Sequence, residues 1–379
     1  MSIPVIAHLM DEYSPLSQTF IYQYLSKMSA THPVVIAQHL VNLDLFPLKD
    51  VFLVKQPHVI RWFRNRLIFR FAADPYPLTE KYAGMLRNCG AEVLHAHFGH
   101  VGYQALALKR RLNLPLVVTF YGFDMSSLPT RRSWRKAYRL LFQEADKFLV
   151  EGSTMAEKLG KLGCPSGKII IQHIAVDLSN IEFEPRQWDG RSPVNIFMAG
   201  RFVEKKGFIY AIRAFAKISS KWSSAQLRIA GDGPLRKNLE AEISKLGITK
   251  RVHLLGAQSY SNYLTEARQA HIFMSPSITA RNGDTEGGAP TTLIEMQASG
   301  LPVLSTYHAD IPHIVRDGVT GFLVKEKDTM ALADKLDWFL SNSEAWQEMG
   351  VAGRKYMLEE HNIEVEVRKL EQVYTELMC

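Results

Sequence analysis

Residues 284–302 combine two glutamates, two adjacent glycines and a short helical pattern, a grouping that suits a phosphorylated sugar ligand. Gly287 and Gly288 leave the backbone bare in front of the helix, which presents its N–H groups and its dipole to an anion such as phosphate. Glu295 lies one to two turns inside the helix, where its carboxylate can accept two hydrogen bonds from a vicinal diol such as a ribose. With Glu286 placed just before the glycines, the pattern predicts a nucleotide-sugar site.

The ends of this helix are marked by two residues with restricted backbones. Pro290 suits the first helical position, because the N–H that proline lacks would have no partner there. Gly300 suits the left-handed residue just past the helix end. The apolar run that begins at Val303 then predicts a buried parallel strand.

A second segment supplies positive charge at the end of another predicted strand. Residues 195–199 are mostly apolar and are followed by Gly200-Arg201 and then by Lys206-Gly207. Open α/β sheets bind ligands beyond the carboxyl ends of their strands, so this loop is well placed. Arg201 can direct two N–H groups at phosphate oxygens and Lys206 adds a point charge. Together they would neutralise a diphosphate leaving group.

These motifs resemble those of glycosyltransferase family 4, whose members are retaining transferases of the GT-B fold. The family's Gly-Arg…Lys-Gly segment is matched by Gly200, Arg201, Lys206 and Gly207. Its two-glutamate motif is matched by Glu286 and Glu295, with eight residues between them where seven are usual. The Glu-Gly-Gly-Ala-Pro form is similar to that of an exopolysaccharide or colanic-acid-type subgroup, and we interpret the difference as a one-residue loop insertion.

The resemblance implies a role for each matching residue. For catalysis it implies Arg201, Lys206, Glu286 and His97, the last at the end of a predicted strand. For donor binding it implies Gly200, Gly231, Gly287, Gly288 and Glu295. On the acceptor side it implies Ser17, Thr19 and Asp124.

Structural alternatives stand beside several of these roles. Glu286 could cap a helix, Glu295 could sit in a local ion pair, and His97 could be a satisfied strand-end histidine. Separately, Asp124 fits a helix cap as well as an acceptor contact, and Gly231 fits a plain strand-to-helix turn.

The expected reaction needs no metal ion. No Asp-x-Asp motif occurs in the chain, so Arg201, Lys206 and the helix N-terminus would stabilise the leaving diphosphate instead. The spacing of His95, His97 and His100 matches no zinc pattern. We therefore predict no metal site and no cofactor, with the nucleotide diphosphate sugar as co-substrate.

Alternating strand and helix patterns predict an α/β protein with two Rossmann-like parallel-sheet domains, which the GT-B resemblance places on either side of a cleft. We expect an acceptor-binding domain at 1–178, a polar linker at 179–192 and a donor-binding domain at 193–354. The C-terminal helix, about 355–379, is expected to pack back on the first domain.

Positive charge is concentrated in the first half of the chain. Residues 1–180 carry 21 Lys and Arg against 13 Asp and Glu, whereas residues 181–379 carry 24 against 25. Much of the excess lies in Arg61–Phe71 and in 131–139, where cations alternate with aromatic rings. Such segments suit an anionic membrane surface, or else form the solvated face of an amphipathic helix. No nucleic-acid-binding motif is present.

The N-terminal residues form a strand pattern without the features of a signal peptide, and no apolar run approaches the ~20 residues of a membrane span. Three scattered cysteines fit a reducing compartment. We therefore expect a cytoplasmic protein, peripheral at the inner face of the cell membrane, that moves a hexose to a lipid-linked or oligosaccharide acceptor in exopolysaccharide or surface glycan biosynthesis. The alternatives are a sugar-nucleotide epimerase or hydrolase on the same fold, and a catalytically silent sugar-nucleotide-binding homologue.

Overall fold

The computed structural model describes residues 3–15, 18–73 and 78–378. The chain divides into two units, one formed by Met1–Ala175 with Ile363–Cys379 and the other by Val176–Asn362. Residues 179–192, expected as a linker, are thus part of the second unit. The helix that returns to the first unit begins at Ile363 rather than near 355.

The first unit is built on seven parallel strands with helices between them. Along the sheet the strands run in the order β3-β2-β1-β4-β5-β6-β7. The strands are β1 (Val5–Tyr13), β2 (His32–Leu40), β3 (Val51–Leu53), β4 (Val93–His97), β5 (Leu116–Thr119), β6 (Lys147–Val150) and β7 (Ile169–Ile171). The helices are α1 (Thr19–Lys27), α2 (His58–Phe71), α3 (Thr79–Cys89), α4 (Gly99–Leu112), α5 (Phe123–Ser126), α6 (Arg132–Glu144) and α7 (Ser153–Lys161).

The second unit repeats this plan with six parallel strands in the order β10-β9-β8-β11-β12-β13. The strands are β8 (Asn195–Ala199), β9 (Gln226–Ala230), β10 (Val252–Gly256), β11 (Ile272–Ser275), β12 (Val303–Thr306) and β13 (Gly321–Val324). The helices are α8 (Phe208–Ile218), α9 (Arg236–Lys245), α10 (Tyr260–Gln269), α11 (Thr291–Ala298), α12 (Thr329–Ser341) and α13 (Ala345–Glu360). Near-continuous apolar runs form the strands because both faces of a parallel sheet are covered by helices.

The last helix, α14 (Ile363–Met378), leaves the second unit and packs on the first. Its apolar face buries Val367, Leu370 and Tyr374 against residues of the first sheet. Oε1 of Glu371 accepts hydrogen bonds from the backbone N–H groups of residues 29–31, at 2.8 to 2.9 Å. By contrast, α13 stays with the second unit, where Gly350 lies so close to Gly300 that an added Cβ would stand 2.3 Å from its carbonyl oxygen.

The predicted fold class is confirmed, since each predicted strand is present and begins within two residues of its expected start. The strand missed from the sequence is β3, three half-exposed residues at the sheet edge. Among the helices in the described residues, none combines the length and apolar character that a membrane crossing would need.

Candidate functional site

Two glycines in the second unit allow the loops beyond the strands to pack closely together. Gly231 has φ 142°, and a Cβ there would lie 1.9 Å from the carbonyl oxygen of Gly200. Gly207 has φ 66°, and a Cβ there would lie 1.9 Å from the carbonyl oxygen of Pro276. Any side chain would therefore force apart the loops that follow β8, β9 and β11. For Gly231 this is the strand-to-helix turn that the sequence left as an alternative to donor contact.

The loop after β8 and the loop before α11 meet through an ion pair. Nζ of Lys206 donates to Oε2 of Glu286 over 3.0 Å, and Oγ of Ser277 donates to the other carboxylate oxygen over 2.7 Å. The Glu286 side chain is only 6% exposed. Burial alone would raise its pKa, but Lys206, Lys205 and Ser277 outweigh this and leave the pKa below its usual value. Glu286 is therefore ionised at neutral pH, and it bonds to side chains rather than capping a helix.

Lys205 anchors the same loop from its other side. Its Nζ lies 3.2 Å from Oδ2 of Asp284 and donates to the carbonyl of Thr285 over 2.8 Å. Arg201, by contrast, is exposed, and its side chain forms no hydrogen bond or ion pair with the residues that the structure describes. Its charge remains available to a ligand.

The N-terminus of α11 presents polar groups that no described residue satisfies. Gly287 has φ 86° and gives its N–H to Oγ1 of Thr285. The N–H groups of Gly288, Thr291 and Thr292 meet no acceptor in residues 3–15, 18–73 and 78–378, and Oγ1 of Thr292 is buried without a partner there. Together with the helix dipole they form a site suited to an anion. Helix α11 begins at Thr291, so Pro290 is the preceding extended residue and not the predicted first helical one.

Glu295 lies in the middle of α11 and is buried among tyrosines. Its carboxylate accepts from the hydroxyl of Tyr263 at 2.8 Å and from that of Tyr260 at 3.3 Å. The local ion pair considered from the sequence is not what holds it. Burial raises the pKa of Glu295 to about 7, although both tyrosine hydroxyls act in the opposite direction.

In the first unit, His97 ends β4 and has both ring nitrogens engaged. Nδ1 lies 2.8 Å from the hydroxyl of Tyr121, and Nε2 lies 3.1 Å from Nδ1 of His8 on the neighbouring strand. Burial lowers the pKa of His97 to about 3, so the ring is neutral. The next residue, Phe98, has φ 76°, a conformation that costs a non-glycine residue of order 1–3 kcal/mol and often marks functional sites.

Three histidines of this sheet, His8, His95 and His97, bring ring nitrogens within 4.8 Å of one another. His100, considered with His95 and His97 in the sequence, instead bonds to Asp11 at 2.6 Å. Both nitrogens of His95 are occupied, by the hydroxyls of Tyr374 and Thr119 at 2.6 Å each. The cluster is therefore a set of neutral, hydrogen-bonded imidazoles, and the absence of a metal site stays a prediction.

The acceptor-side residues are placed unevenly. Asp124 is fully buried and accepts from the N–H of Gly99 at 2.8 Å and of Tyr121 at 3.1 Å. Asp124 lies within α5, so it does not cap the helix that follows it, and its carboxylate instead binds the first N–H of the earlier helix α4. These contacts leave the carboxylate away from solvent. Thr19 is the first residue of α1, and Ser17 lies outside the described residues.

Sequence reasoning missed the residues that support the site. Ser277 could have been noticed, because it follows β11 by two residues at the edge where ligands bind. Tyr263 and His8 lie far from their partners in the chain, and no local pattern points to them.

Two family models match consecutive parts of the chain. The one described as Glycosyltransferase Family 4 matches residues 20–180, and the one described as Glycosyl transferases group 1 matches residues 181–356. The chain belongs to glycosyltransferase family 4. Within this family it is similar to exopolysaccharide proteins, as the Glu-Gly-Gly-Ala-Pro motif indicated.

Two relatives of this family 4 member illustrate the similarity. The putative colanic acid biosynthesis glycosyltransferase WcaL of Escherichia coli K12 is 33% identical over 252 residues, which are 66% of this chain and 61% of WcaL. The amylovoran biosynthesis glycosyltransferase AmsK of Erwinia amylovora is 32% identical over 247 residues, 64% of this chain and 60% of AmsK. The chain thus spans less than two thirds of either relative.

Solved structures show the same fold at low sequence identity. Anabaena HepE, in complex with UDP and glucose, has a TM-score of 0.80 at 14% identity, covering 98% of this chain and 100% of HepE. Sucrose-phosphate synthase from Thermosynechococcus elongatus has a TM-score of 0.77 at 16% identity, covering 99% of each chain. The family 4 member therefore has the GT-B fold.

Proposed function

We propose that this protein is a retaining glycosyltransferase of exopolysaccharide or surface glycan biosynthesis. It transfers a hexose from a nucleotide diphosphate sugar to a lipid-linked or oligosaccharide acceptor without a metal ion. The observation that carries the proposal is the Lys206–Glu286 pair, which joins the loop after β8 to the loop leading into α11. Within the described residues, the N–H groups of Thr291 and Thr292 at the start of that helix meet no acceptor. That HepE was solved with UDP and glucose supports a nucleotide sugar as the donor class.

In the proposed reaction the bond between the anomeric carbon and the diphosphate oxygen breaks. Arg201, Lys206 and the N–H groups of α11 take up the charge that develops on the departing diphosphate. The acceptor oxygen bonds to the anomeric carbon on the same face, and its proton passes to the diphosphate. Glu286 orients sugar hydroxyls from its fixed position, and Glu295 accepts from the ribose diol.

His97 has a narrower role in this proposal than the resemblance suggested. Its ring is neutral and both nitrogens have partners, so it contributes a hydrogen bond to the sugar only by exchanging Tyr121 or His8 for a sugar hydroxyl. Because the imidazole is neutral, it neither attracts nor repels the positive charge that develops at the anomeric carbon.

Helix α2 supports a membrane-surface location. Trp62 and Phe71 are 55% and 52% exposed, with the guanidinium groups of Arg66 and Arg70 over their respective rings at 5.3 and 5.2 Å. Exposed aromatic rings beside cations match the headgroup region of an anionic bilayer. Arg64 takes no part, because it is buried and donates to Gln38 and Gln104.

The second basic segment, residues 131–139, forms hydrogen bonds to the C-terminal end of α2. Nε1 of Trp134 donates to the carbonyl of Phe69 over 2.8 Å, and Oγ of Ser133 donates to that of Arg70 over 3.3 Å. Cys89 and Cys164 are free thiols, as expected of a reducing compartment. We therefore place the reaction at the cytoplasmic face of the membrane.

The proposal is tested by thermal-shift binding of UDP, GDP, ADP and dTDP sugars, each with and without EDTA, followed by transfer to a lipid-linked saccharide. Stabilisation by one nucleotide series regardless of EDTA, with transfer, is the expected result. Loss of binding in EDTA would contradict the metal-free site. Consumption of donor without acceptor would instead indicate the epimerase or hydrolase, and binding without turnover the silent homologue.

A further inference from the structure

We propose that His308 is a positioning residue that holds Glu286 in its working geometry, an inference that rests on the proposed function. His308 lies two residues beyond β12 and is 2% exposed. Its Nε2 accepts the backbone N–H of Glu286 at 3.1 Å. A side chain far along the chain thus fixes the backbone of the residue whose carboxylate meets Lys206.

The tautomer of His308 is set by its other nitrogen. Nδ1 lies 2.6 Å from Oε1 of Glu326, and a carboxylate can only accept, so Nδ1 carries the proton. Nε2 is then left with the lone pair that the N–H of Glu286 requires. Glu326 is itself held by the N–H of Thr279, which donates to Oε2 over 2.7 Å. This is the arrangement in which a second group orients an imidazole by hydrogen bonding its far side.

These contacts link the carboxyl ends of three neighbouring strands. Thr279 follows β11, His308 follows β12 and Glu326 follows β13. A chain of hydrogen bonds from Thr279 through Glu326 to His308 therefore ties the Glu286 loop to the ends of these three strands. Side-chain hydroxyls add to this, because Oγ of Ser277 fixes the Glu286 carboxylate from the β11 side.

The same segment also holds the far side of the glycine turn. The N–H of Asp310 donates to the carbonyl of Gly288 over 3.2 Å, so residues 308–310 contact the chain on both sides of Gly287. Eight residues separate Glu286 from Glu295 in this chain, which makes the loop one residue longer than is usual for the family. A longer loop has more conformations to lose on ordering. We infer that the hydrogen bond from Glu286 to His308 restricts these conformations.

Two conservative substitutions each remove one of the two hydrogen bonds of His308 and keep the other. In His308→Gln, Oε1 can reach the place of Nε2 and accept from Glu286 while the bond to Glu326 is lost. In His308→Asn, the shorter amide can still donate to Glu326, but it leaves the N–H of Glu286 without an acceptor. If His308 acts by positioning Glu286, the His308→Gln variant should keep its transfer activity and the His308→Asn variant should lose most of it.

Steady-state transfer is measured for both variants, with His253→Asn, a half-buried histidine of the same unit, as the control. We expect His308→Asn to lower kcat by about 10²-fold, the loss that an ångström-scale misplacement can cause, with the donor KM little changed. His308→Gln should bring kcat back toward the parent value. In a Glu286→Ala background, His308→Asn should add no further loss, since the residue acts through Glu286.

Thermal unfolding and donor binding distinguish this inference from simpler explanations. If Asn and Gln lower the unfolding temperature alike while kcat per folded molecule is unchanged, His308 is only structural and the inference fails. Equal kcat in parent, Asn and Gln also overturns it. Absence of transfer in the parent itself would overturn the proposed function, a different outcome from either of these.

Discussion

The hydroxyl of Tyr263 donates to Oε2 of Glu295 over 2.8 Å, on the carboxylate that the resemblance assigns to the donor ribose. Tyr263 belongs to α10 and Glu295 to α11, so the contact joins two helices of the second unit. A carboxylate oxygen has more than one lone pair, and the tyrosine therefore leaves acceptor capacity for a diol. Because burial raises the pKa of Glu295 to about 7, that capacity depends on pH.

Donor affinity should increase as the pH is raised from about 6 to about 8, because the ionised form of Glu295 accepts two hydrogen bonds and the protonated form accepts fewer. The dependence should disappear in Glu295→Gln. In Tyr263→Phe its midpoint should move to higher pH, because a hydrogen bond that favours the ionised form is lost. Nucleotide-sugar binding by calorimetry measures all three, with Tyr210→Phe as the control.

The same ionisation has the opposite sign for the stability of the ligand-free protein. Because the folded-state pKa is raised, the contribution of Glu295 to stability is greatest below the unfolded pKa and is lost as the pH rises through about 7. Chemical denaturation between the ordinary pKa of 4.5 and about pH 7 should show this decline in the free energy of unfolding of the parent. In Glu295→Gln the contribution of this residue should not change with pH.

For the binding prediction, a midpoint that is identical in Tyr263→Phe and parent would refute the role of the tyrosine.

Lys206→Met should reduce kcat/KM by about 10²- to 10³-fold, as expected for removal of one preorganised charge at a leaving group. It should also destabilise the protein, because Glu286 is buried and would lose its cation. Adding Glu286→Gln should recover thermal stability without recovering transfer. Recovery of both would mean that the pair is a structural salt bridge and not part of the reaction.

Arg66→Glu combined with Arg70→Glu should release the protein from vesicles containing anionic lipid, since both side chains are exposed on α2. Trp62→Ala should also weaken binding to the vesicles. The loss should depend less on salt concentration than the loss caused by the arginine changes, because Trp62→Ala removes an inserted ring and no charge. Co-sedimentation is the measurement, and Lys237→Glu with Lys250→Glu makes the same charge change on the second unit. If both pairs reduce binding equally, net charge and not α2 determines association.

Much of the architecture follows from local patterns, whereas the contacts that tune the site do not. Apolar runs predicted the strands, and the motifs around Arg201 and Glu295 predicted which loops carry charge. The sequence did not show which arginines of residues 61–71 are exposed, because Arg64 is buried through a hydrogen bond to Gln104, forty residues away. Likewise the pairing of His97 with His8 depends on which strands are neighbours, and the contact of Asp124 with Gly99 joins residues 25 positions apart.

Glu371→Ala should lower the free energy of unfolding by about 2 kcal/mol, because the buried N–H of Thr31 and its hydroxyl lose their acceptor. Glu371→Gln should cost less, since the amide oxygen still accepts. Urea unfolding followed by tryptophan fluorescence measures both, and Gln372→Ala, on the exposed face of α14, is the matched control. Equal stability of the alanine variant and parent would show that the carboxylate does not hold this helix.

The return of α14 to the first unit has a consequence for synthesis on the ribosome. His95 in β4 bonds to Tyr374 in α14, so the first unit, although translated first, lacks part of its own interior until 279 further residues have been made. The whole of the second unit emerges in that interval, and domains generally fold as units during translation. The unit that contains His95 is therefore completed last, because His95 gains its Tyr374 partner only after the sheet of the second unit has been made.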